Sequence, residues 1–281
     1  MTDTGIIVLL LILLNILFSY KGFTNRTFFD SYQFEIDPIL VRKDYKRLVT
    51  SGFLHVSWLH LIFNMISLYA FCGLIGDHLG GLRFLIIYFS GLIGGGLLSL
   101  LIHRHHGDYS AVGASGAICG IIFAAIALFP GIGIGFFGLP FTIPGWLYGI
   151  LYVLFSIYGI RSGKNNIGHD AHLGGGVVGM LTALVMKPDA FVHNYFTILL
   201  IAIPSIAFIW MMIRRPDLLV VDNFWFKTHH KNYSMDDRYN AEKNNAQRDI
   251  DRILDKIHKR GMSSLSRAEL EKLKEHSKNI P

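Results

Sequence analysis

Seven apolar runs are spaced along the chain, at about 5–20, 53–75, 84–102, 113–129, 144–160, 168–186 and 195–213. Several approach the ~17–25 residues with which a helix crosses a hydrocarbon core of ~30 Å. Backbone groups in lipid must be satisfied within the segment, and no run alternates polar with apolar as a membrane barrel does. Each run therefore predicts a helix. The first is short for a full crossing, and Pro204 predicts a kink in the last. Residues 21–50 form the longest connection between runs. Phe23, Phe28, Phe29, Tyr32 and Phe34 are interleaved with charges there, and Asp37-Pro38 marks a turn. Such an aromatic loop is expected at a membrane interface. Residues 130–143 are glycine-rich and apolar, with Pro130 and Pro140, and are expected to sit partly in the bilayer against protein.

Beyond Arg214-Arg215-Pro216 the pattern turns polar. Ile250, Ile253, Leu254 and Ile257 then recur at helical spacing, and Gly261 supplies a stop. Ser266 with Glu269 makes a capping box, which Leu265 and Leu270 can staple. The expected division is a six-helix membrane core at 1–190, a seventh transmembrane helix at 191–215, a linker at 216–247 and a small C-terminal helical hairpin at 248–281. The fold class is all-α, a membrane bundle with a soluble tail.

Composition supports this division. Of 281 residues, 52% are hydrophobic and only 16% charged, against roughly 25% charged in a soluble domain. Charges gather at 21–50 and after 213 and are sparse between. The net charge of +6 is modest, and the tail's Lys and Arg alternate with Asp and Glu, so nucleic acid is not an expected partner. Cys72 and Cys119 both lie in apolar runs and form no CxxC or disulfide framework. The N-terminus, Met-Thr-Asp-Thr, has no basic segment ahead of its apolar run, so that run reads as a retained span rather than a signal peptide.

Candidate chemistry emerges from parity. The second, fourth and sixth helices must cross in the same direction. His55 and His60 lie early in the second, Ser115 opens the fourth, and His172 lies about one turn into the sixth. Three segments thus bring polar groups to one face of the membrane, where such groups are costly and functional by default. Taken singly, an intramembrane Ser commonly bonds back to its own helix. A lone His, likewise, is more often structural. The coincidence is what points to function.

Small residues offer a route to contact. Gly116, Gly120 and Ala124 recur at four-residue spacing in the fourth helix, as do Ala171, Gly175, Gly179 and Ala183 in the sixth. Such faces let helices approach closely in lipid. A serine hydroxyl needs a base, and neutral imidazole is one near pH 7. Ser115 at a helix N-terminus lies among unpaired N–H groups that favour a developing oxyanion. His60 and Asn64 share a face of the second helix and can add hydrogen bonds, whereas His55 lies off that face. No Asp or Glu takes an obvious third position, Asp170 projecting from another face than His172, so a Ser-His dyad is the expectation.

His55-x4-His60-x3-Asn64, Gly113-x-Ser115-Gly116 and Ala171-His172-x2-Gly175-x3-Gly179 together resemble the rhomboid family of intramembrane serine proteases, from about 45 to 186. The resemblance implies a six-helix core with Ser115 as nucleophile and His172 as general base. It implies that His60 and Asn64, with backbone N–H groups near Ser115, stabilise the oxyanion, and that single-pass membrane proteins are the substrates, cut within or beside their transmembrane segment. His55, His169 and Gly113 are possible supporting residues. No Trp-Arg pair occurs in 21–50, where many members carry one, and Asp77 stands where an acidic residue, often Glu, follows the second helix. The extra helix and the tail are similar to C-terminal additions on some bacterial members, which implies a multi-pass protein of a bacterial plasma membrane. The sequence names no partner for the tail.

Two other readings compete with this one. A non-proteolytic binder of membrane helices would use the same fold without an intact dyad. A transporter would need ionisable residues spread through the bilayer rather than gathered at one face. His103, His105 and His106 cluster before the fourth helix, and no acid or Cys completes a metal set. No metal or cofactor is expected, since hydrolysis needs only water. Basic residues gather on the side of the odd-numbered loops, which by the positive-inside rule makes the site face cytoplasmic. The resemblance implies the opposite face, and that orientation is adopted.

Overall fold

The computed structural model describes residues 3–135, 141–162 and 168–214, together with Ile253 and Ile257. In chain order the elements are α1 (Asp3–Thr24), α2 (Arg26–Tyr32), β1 (Phe34–Glu35), α3 (Ile36–Leu40), α4 (Arg47–Thr50), a 3₁₀ turn (Ser51–Phe53), α5 (Trp58–Leu79) and α6 (Gly81–Ile102). There follow β2 (Ser110–Ala111), α7 (Ser115–Leu128), β3 (Gly133–Gly135), β4 (Thr142–Pro144), α8 (Gly145–Ser162), α9 (His169–Met186) and α10 (Asp189–Arg214). All seven apolar runs are helices, as α1, α5, α6, α7, α8, α9 and α10. The chain forms two compact units, Met1–Val220 and Val221–Pro281. The expected linker at 216–247 and hairpin at 248–281 lie outside the described residues, save Ile253 and Ile257, both of which are helical.

The centre of the first unit is α6, α7 and α9. Every residue of α7 from Gly116 to Leu128 is buried. A helix apolar all round belongs inside a bundle, and at 14 residues α7 is about 21 Å long at ~1.5 Å per residue, short of the ~30 Å hydrocarbon core. Glycines let its neighbours close in. A Cβ on Gly120 would lie 3.1 Å from both Gly175 O and Gly91 Cα, and one on Gly179 would collide with the Gly120 backbone. Gly116 differs: a Cβ there would meet its nearest atom, Ala171 O, at 3.5 Å, an ordinary contact. The third partner in this packing, α6 with Gly91 and Gly95, was not among the small-residue faces expected.

Four described helices, α1, α5, α6 and α10, are long and apolar enough to cross a membrane. They carry one protein-facing stripe each. On α1 it is Val8, Leu11, Asn15, Ser19 and Gly22, while Leu9, Leu10, Leu13 and Leu17 are exposed. Exposed Phe63 and Tyr69 on α5, and Ile203 and Trp210 on α10, continue the apolar exterior, a surface suited to lipid. The last run starts at Tyr195 because Asn194 has non-helical angles (φ −117°, ψ 16°), and α10 continues through Pro204. Asn194 caps α7 instead: its Nδ2 donates to Ala127 O at 2.9 Å and Leu128 O at 3.0 Å, satisfying carbonyls that a helix end leaves open.

The connection 21–50 is not one loop but three short helices and a strand. Buried Arg47 holds it, donating to Asp30 O and Gln33 O at 2.8 Å each and to Asp44 Oδ2 at 3.0 Å. The expected loop 130–143 contributes an antiparallel pair, Ile134 opposite Ile143.

Candidate active site

Local sequence brings each site residue into place. Ser57 is the N-cap of α5, its hydroxyl accepting from the His60 amide at 3.2 Å, so the helix begins at Trp58 and His60 stands in its first turn. His55 was expected within this helix; it precedes it, because the Ser57 cap sets the boundary. The segment ahead of Ser115 is strapped to the chain after α1: Phe34 pairs with Ala111 and Glu35 with Ser110. Gly113 N–H donates to Ser51 O at 3.0 Å. Gly113 has φ +131°, and a Cβ there would lie 2.9 Å from His60 Cε1, so both backbone and space require glycine. The chain then enters α7 at Ser115.

Ser115 Oγ and His172 Nε2 are 2.6 Å apart, within hydrogen-bond reach of a nucleophile and its base. Close approach of α7 and α9 makes this possible. A Cβ on Gly175, one turn past His172, would strike the Gly116 carbonyl and lie 2.9 Å from both Gly116 C and Gly91 O. His172 Nδ1 lies 3.0 Å from Tyr152 Oη, and that oxygen lies 2.9 Å from Cys119 Sγ. The ring of His60 reaches the same corner, since the Cβ position of Gly113 that touches it is 3.6 Å from Ser115 Oγ. Asn64 is buried, and one of its amide hydrogens bonds His60 O at 2.8 Å. Amides in the first turn of α7 have no partner within the helix.

His55 lies between Ser19 and His60. Ser19 donates its hydroxyl hydrogen to Phe53 O at 3.0 Å, so its oxygen accepts from His55 Nδ1 at 2.9 Å. This leaves Nε2 as the lone-pair nitrogen. The His55 and His60 rings meet edge to face with centroids 4.8 Å apart. Burial, and secondarily the His60 charge, push the His55 pKa down from 6.5 to about 3, so this imidazole is neutral.

His169 is buried, its ring 6.1 Å from that of His172 and 5.1 Å from Phe155. Asp170 turns away from His172, as its position predicted, and meets His103 Nε2 at 3.2 Å and the Tyr109 hydroxyl at 3.5 Å. The His103 and Tyr109 rings stack at 3.7 Å. An acid does therefore face the histidine cluster, from a helix far away in sequence. His105 instead accepts from Arg104 Nε, and among the described residues no group of three or more ligands is placed for a metal.

The family model of the Rhomboid domain matches residues 42–189, more than half of the chain and all of the residues just described on α5, α7, α8 and α9. This chain belongs to the rhomboid family. It is a multi-pass integral membrane protein. The rhomboid is 33% identical over 147 residues to RHOMBOID-like protein 12, mitochondrial, of Arabidopsis thaliana, covering 47% of this chain and 43% of that one. It is 31% identical over 150 residues to Rhomboid protease GlpG of Photorhabdus laumondii, covering 53% and 50%. To Rhomboid protease GluP of Bacillus subtilis it is 24% identical over 198 residues, covering 69% and 37%. The chain thus spans half or less of the length of these relatives. A second model, Family of unknown function (DUF6576), matches residues 233–279, the tail of this rhomboid.

Sequence reasoning missed Tyr152, Cys119 and Ser19. Cys119 stands one turn from Ser115, a spacing that could have marked it. Tyr152 and Ser19 sit in apolar runs with nothing nearby to single them out.

Proposed function

We propose that this rhomboid is an intramembrane serine endopeptidase that cleaves single-pass membrane proteins within or beside their transmembrane segment. The observation that carries the proposal is the 2.6 Å contact of Ser115 Oγ with His172 Nε2 at the mouths of two helices. Two of the relatives above are named proteases, which supports the same reading.

In this mechanism Nε2 of His172 takes the Ser115 proton as Oγ attacks the scissile carbonyl carbon. The carbonyl oxygen becomes an oxyanion, held by amides of the first turn of α7 and by the side chains of His60 and Asn64. Collapse breaks the C–N bond, and the leaving amine takes the proton from His172. Water, deprotonated by the same nitrogen, then frees the acyl group from Ser115. The shortness of α7 favours a substrate cut below the membrane surface, since a helix of about 21 Å cannot present both ends at the faces of a ~30 Å core. A bacterial plasma membrane is the proposed compartment, with the site on the extracytoplasmic face.

The test is cleavage of a model single-pass substrate by the purified chain in detergent or bicelles, beside Ser115→Ala. Cleavage by the native chain alone is expected. Undiminished cleavage by the variant refutes the assignment. An inert native chain that still retains the substrate identifies a binder instead.

A further inference from the structure

The dyad lacks a carboxylate behind its histidine, yet the imidazole is not left unoriented. We propose that Tyr152 of α8 is the positioning residue for His172, and that Cys119 sets the direction of the hydrogen bond between them. The inference rests on the protease reading of the same site.

Its basis is a four-membered chain of contacts: Ser115 Oγ to His172 Nε2 at 2.6 Å, His172 Nδ1 to Tyr152 Oη at 3.0 Å, and Tyr152 Oη to Cys119 Sγ at 2.9 Å. Neutral imidazole carries one N–H. For Nε2 to accept the serine proton, that hydrogen must sit on Nδ1, and the group facing Nδ1 must then be an acceptor. A phenol is both donor and acceptor, so alone it leaves the matter open. If its O–H points at Nδ1, the imidazole is held with its hydrogen on Nε2, where it cannot act as a base. The phenol oxygen accepts from Nδ1 only when its own hydrogen goes elsewhere.

Cys119 is that elsewhere. Its sulfur is a weak acceptor within reach of the Tyr152 hydroxyl, and it stands one turn along α7 from Ser115. A thiol within a helix can give its hydrogen to a carbonyl of the preceding turn, as helical hydroxyls do. Cys72, in the same chain, makes such a bond, donating to Tyr69 O at 3.0 Å. With the thiol hydrogen directed there, the Tyr152 hydrogen goes to Sγ and the phenol oxygen receives Nδ1–H. Nε2 is then the base. The same bond steadies the imidazolium that forms when serine gives up its proton.

Packing fixes the ring independently of its hydroxyl. Tyr152 lies edge-on to Phe123 with centroids 5.8 Å apart and stacks on Tyr148 at 6.0 Å. Tyr152→Phe therefore deletes one oxygen and keeps the ring in place. The second helix bringing chemistry to His172 is thus α8, although Tyr152 carries no sequence motif.

The experiment uses the full chain in bicelles, native and as Tyr152→Phe, Cys119→Ala, Cys119→Ser and the Tyr152→Phe/Cys119→Ala double variant, with Ser115→Ala as the inert control. Three readouts are taken: kcat and KM on a model single-pass substrate, the rate of Ser115 labelling by a fluorophosphonate, and the His172 tautomer from long-range ¹H–¹⁵N spectra of histidine-labelled protein. Tyr152→Phe is expected to lower kcat and labelling about 10- to 100-fold, with KM unchanged and Nδ1–H no longer the fixed tautomer. That loss is smaller than the ~10⁴-fold cost of removing a triad carboxylate's influence, because a phenol is uncharged. Cys119→Ala is expected to raise the Nε2–H share and lower the rate, Cys119→Ser to restore both, and the double variant to be no slower than Tyr152→Phe. Native kcat and an unchanged tautomer in Tyr152→Phe overturn the inference, as does Cys119→Ser behaving like Cys119→Ala. If the native chain neither cleaves nor labels, the protease reading fails, and the tautomer in Tyr152→Phe still decides this one.

Discussion

Gly175→Ala isolates the close approach of α7 and α9 in a single methyl group. The added Cβ would strike the Gly116 carbonyl and lie 2.9 Å from Gly116 C and from Gly91 O, all backbone atoms, where ordinary contact begins at 3.4 Å. Relief requires α7 to withdraw by about half an ångström or more, since close-packed interiors have little slack. Gly116 is the residue after Ser115, so the withdrawal is felt at once by the Ser115–His172 contact of 2.6 Å. A stretch to about 3.1 Å or beyond brings it to the edge of the ~2.6–3.2 Å within which a base takes a proton. Misplacement by ~1 Å costs about 10²-fold in rate, and overpacking costs about 1–3 kcal/mol. Gly116→Ala is the matched comparison on the same interface. Its Cβ meets Ala171 O at 3.5 Å, so it should keep activity and stability, gaining up to about 1 kcal/mol from helix propensity. Cleavage of a single-pass substrate and thermal unfolding in one detergent read out both variants. Equal damage from the two, or a native-like Gly175→Ala, refutes the reasoning.

Asn194→Ala removes the cap on Ala127 O and Leu128 O, with an expected loss of about 1–3 kcal/mol. Thermal melts should show it, and Asn194→Asp should not rescue it, because a carboxylate cannot donate. His55 makes stability depend on pH. Its pKa is lowered from 6.5 to about 3 in the folded chain, so the unfolded chain binds more protons between these values. The stabilisation is complete above pH 6.5 and is lost as pH falls toward 3, by an amount on the order of a few kcal/mol. Melting temperatures of native protein and His55→Gln should converge as pH drops through this window. Parallel curves would remove His55 as the cause.

Much of the membrane unit was legible because lipid leaves the backbone so few choices. Seven runs gave seven helices, and parity brought His60, Ser115 and His172 to one corner. Boundaries were less visible. The charged stretch 76–83 reads as a loop, yet Asp77 and His78 end α5 and Arg83 begins α6, with only Gly80 between them at φ +83°. Charged residues can remain helical where the helix ends reach water, so polarity there marks an interface rather than a break. Likewise the apolar run from Phe53 hid a cap at Ser57, and His55 fell outside the helix. Tyr152 was illegible for another reason. Its hydroxyl matters only through partners 20 and 33 residues away, and an isolated Tyr among apolar neighbours looks like any interfacial aromatic. The position of Asp170 in α9 is enough to turn it from His172, but its partners His103 and Tyr109 needed the folded loop.

Ser115 and His172, the proposed nucleophile and base, are 57 residues apart in sequence, and His172 comes from the later helix. A ribosome adding ~5–20 residues per second needs about 3 to 11 s to travel from one to the other. Throughout that interval Ser115 has been made and His172, the proposed base, has not. On the proposed mechanism a growing chain is therefore inert toward the unassembled membrane segments around it, its own included. On that reading competence arrives late, when α9 packs against the glycine face of α7, so that the order of synthesis itself acts as a safety catch.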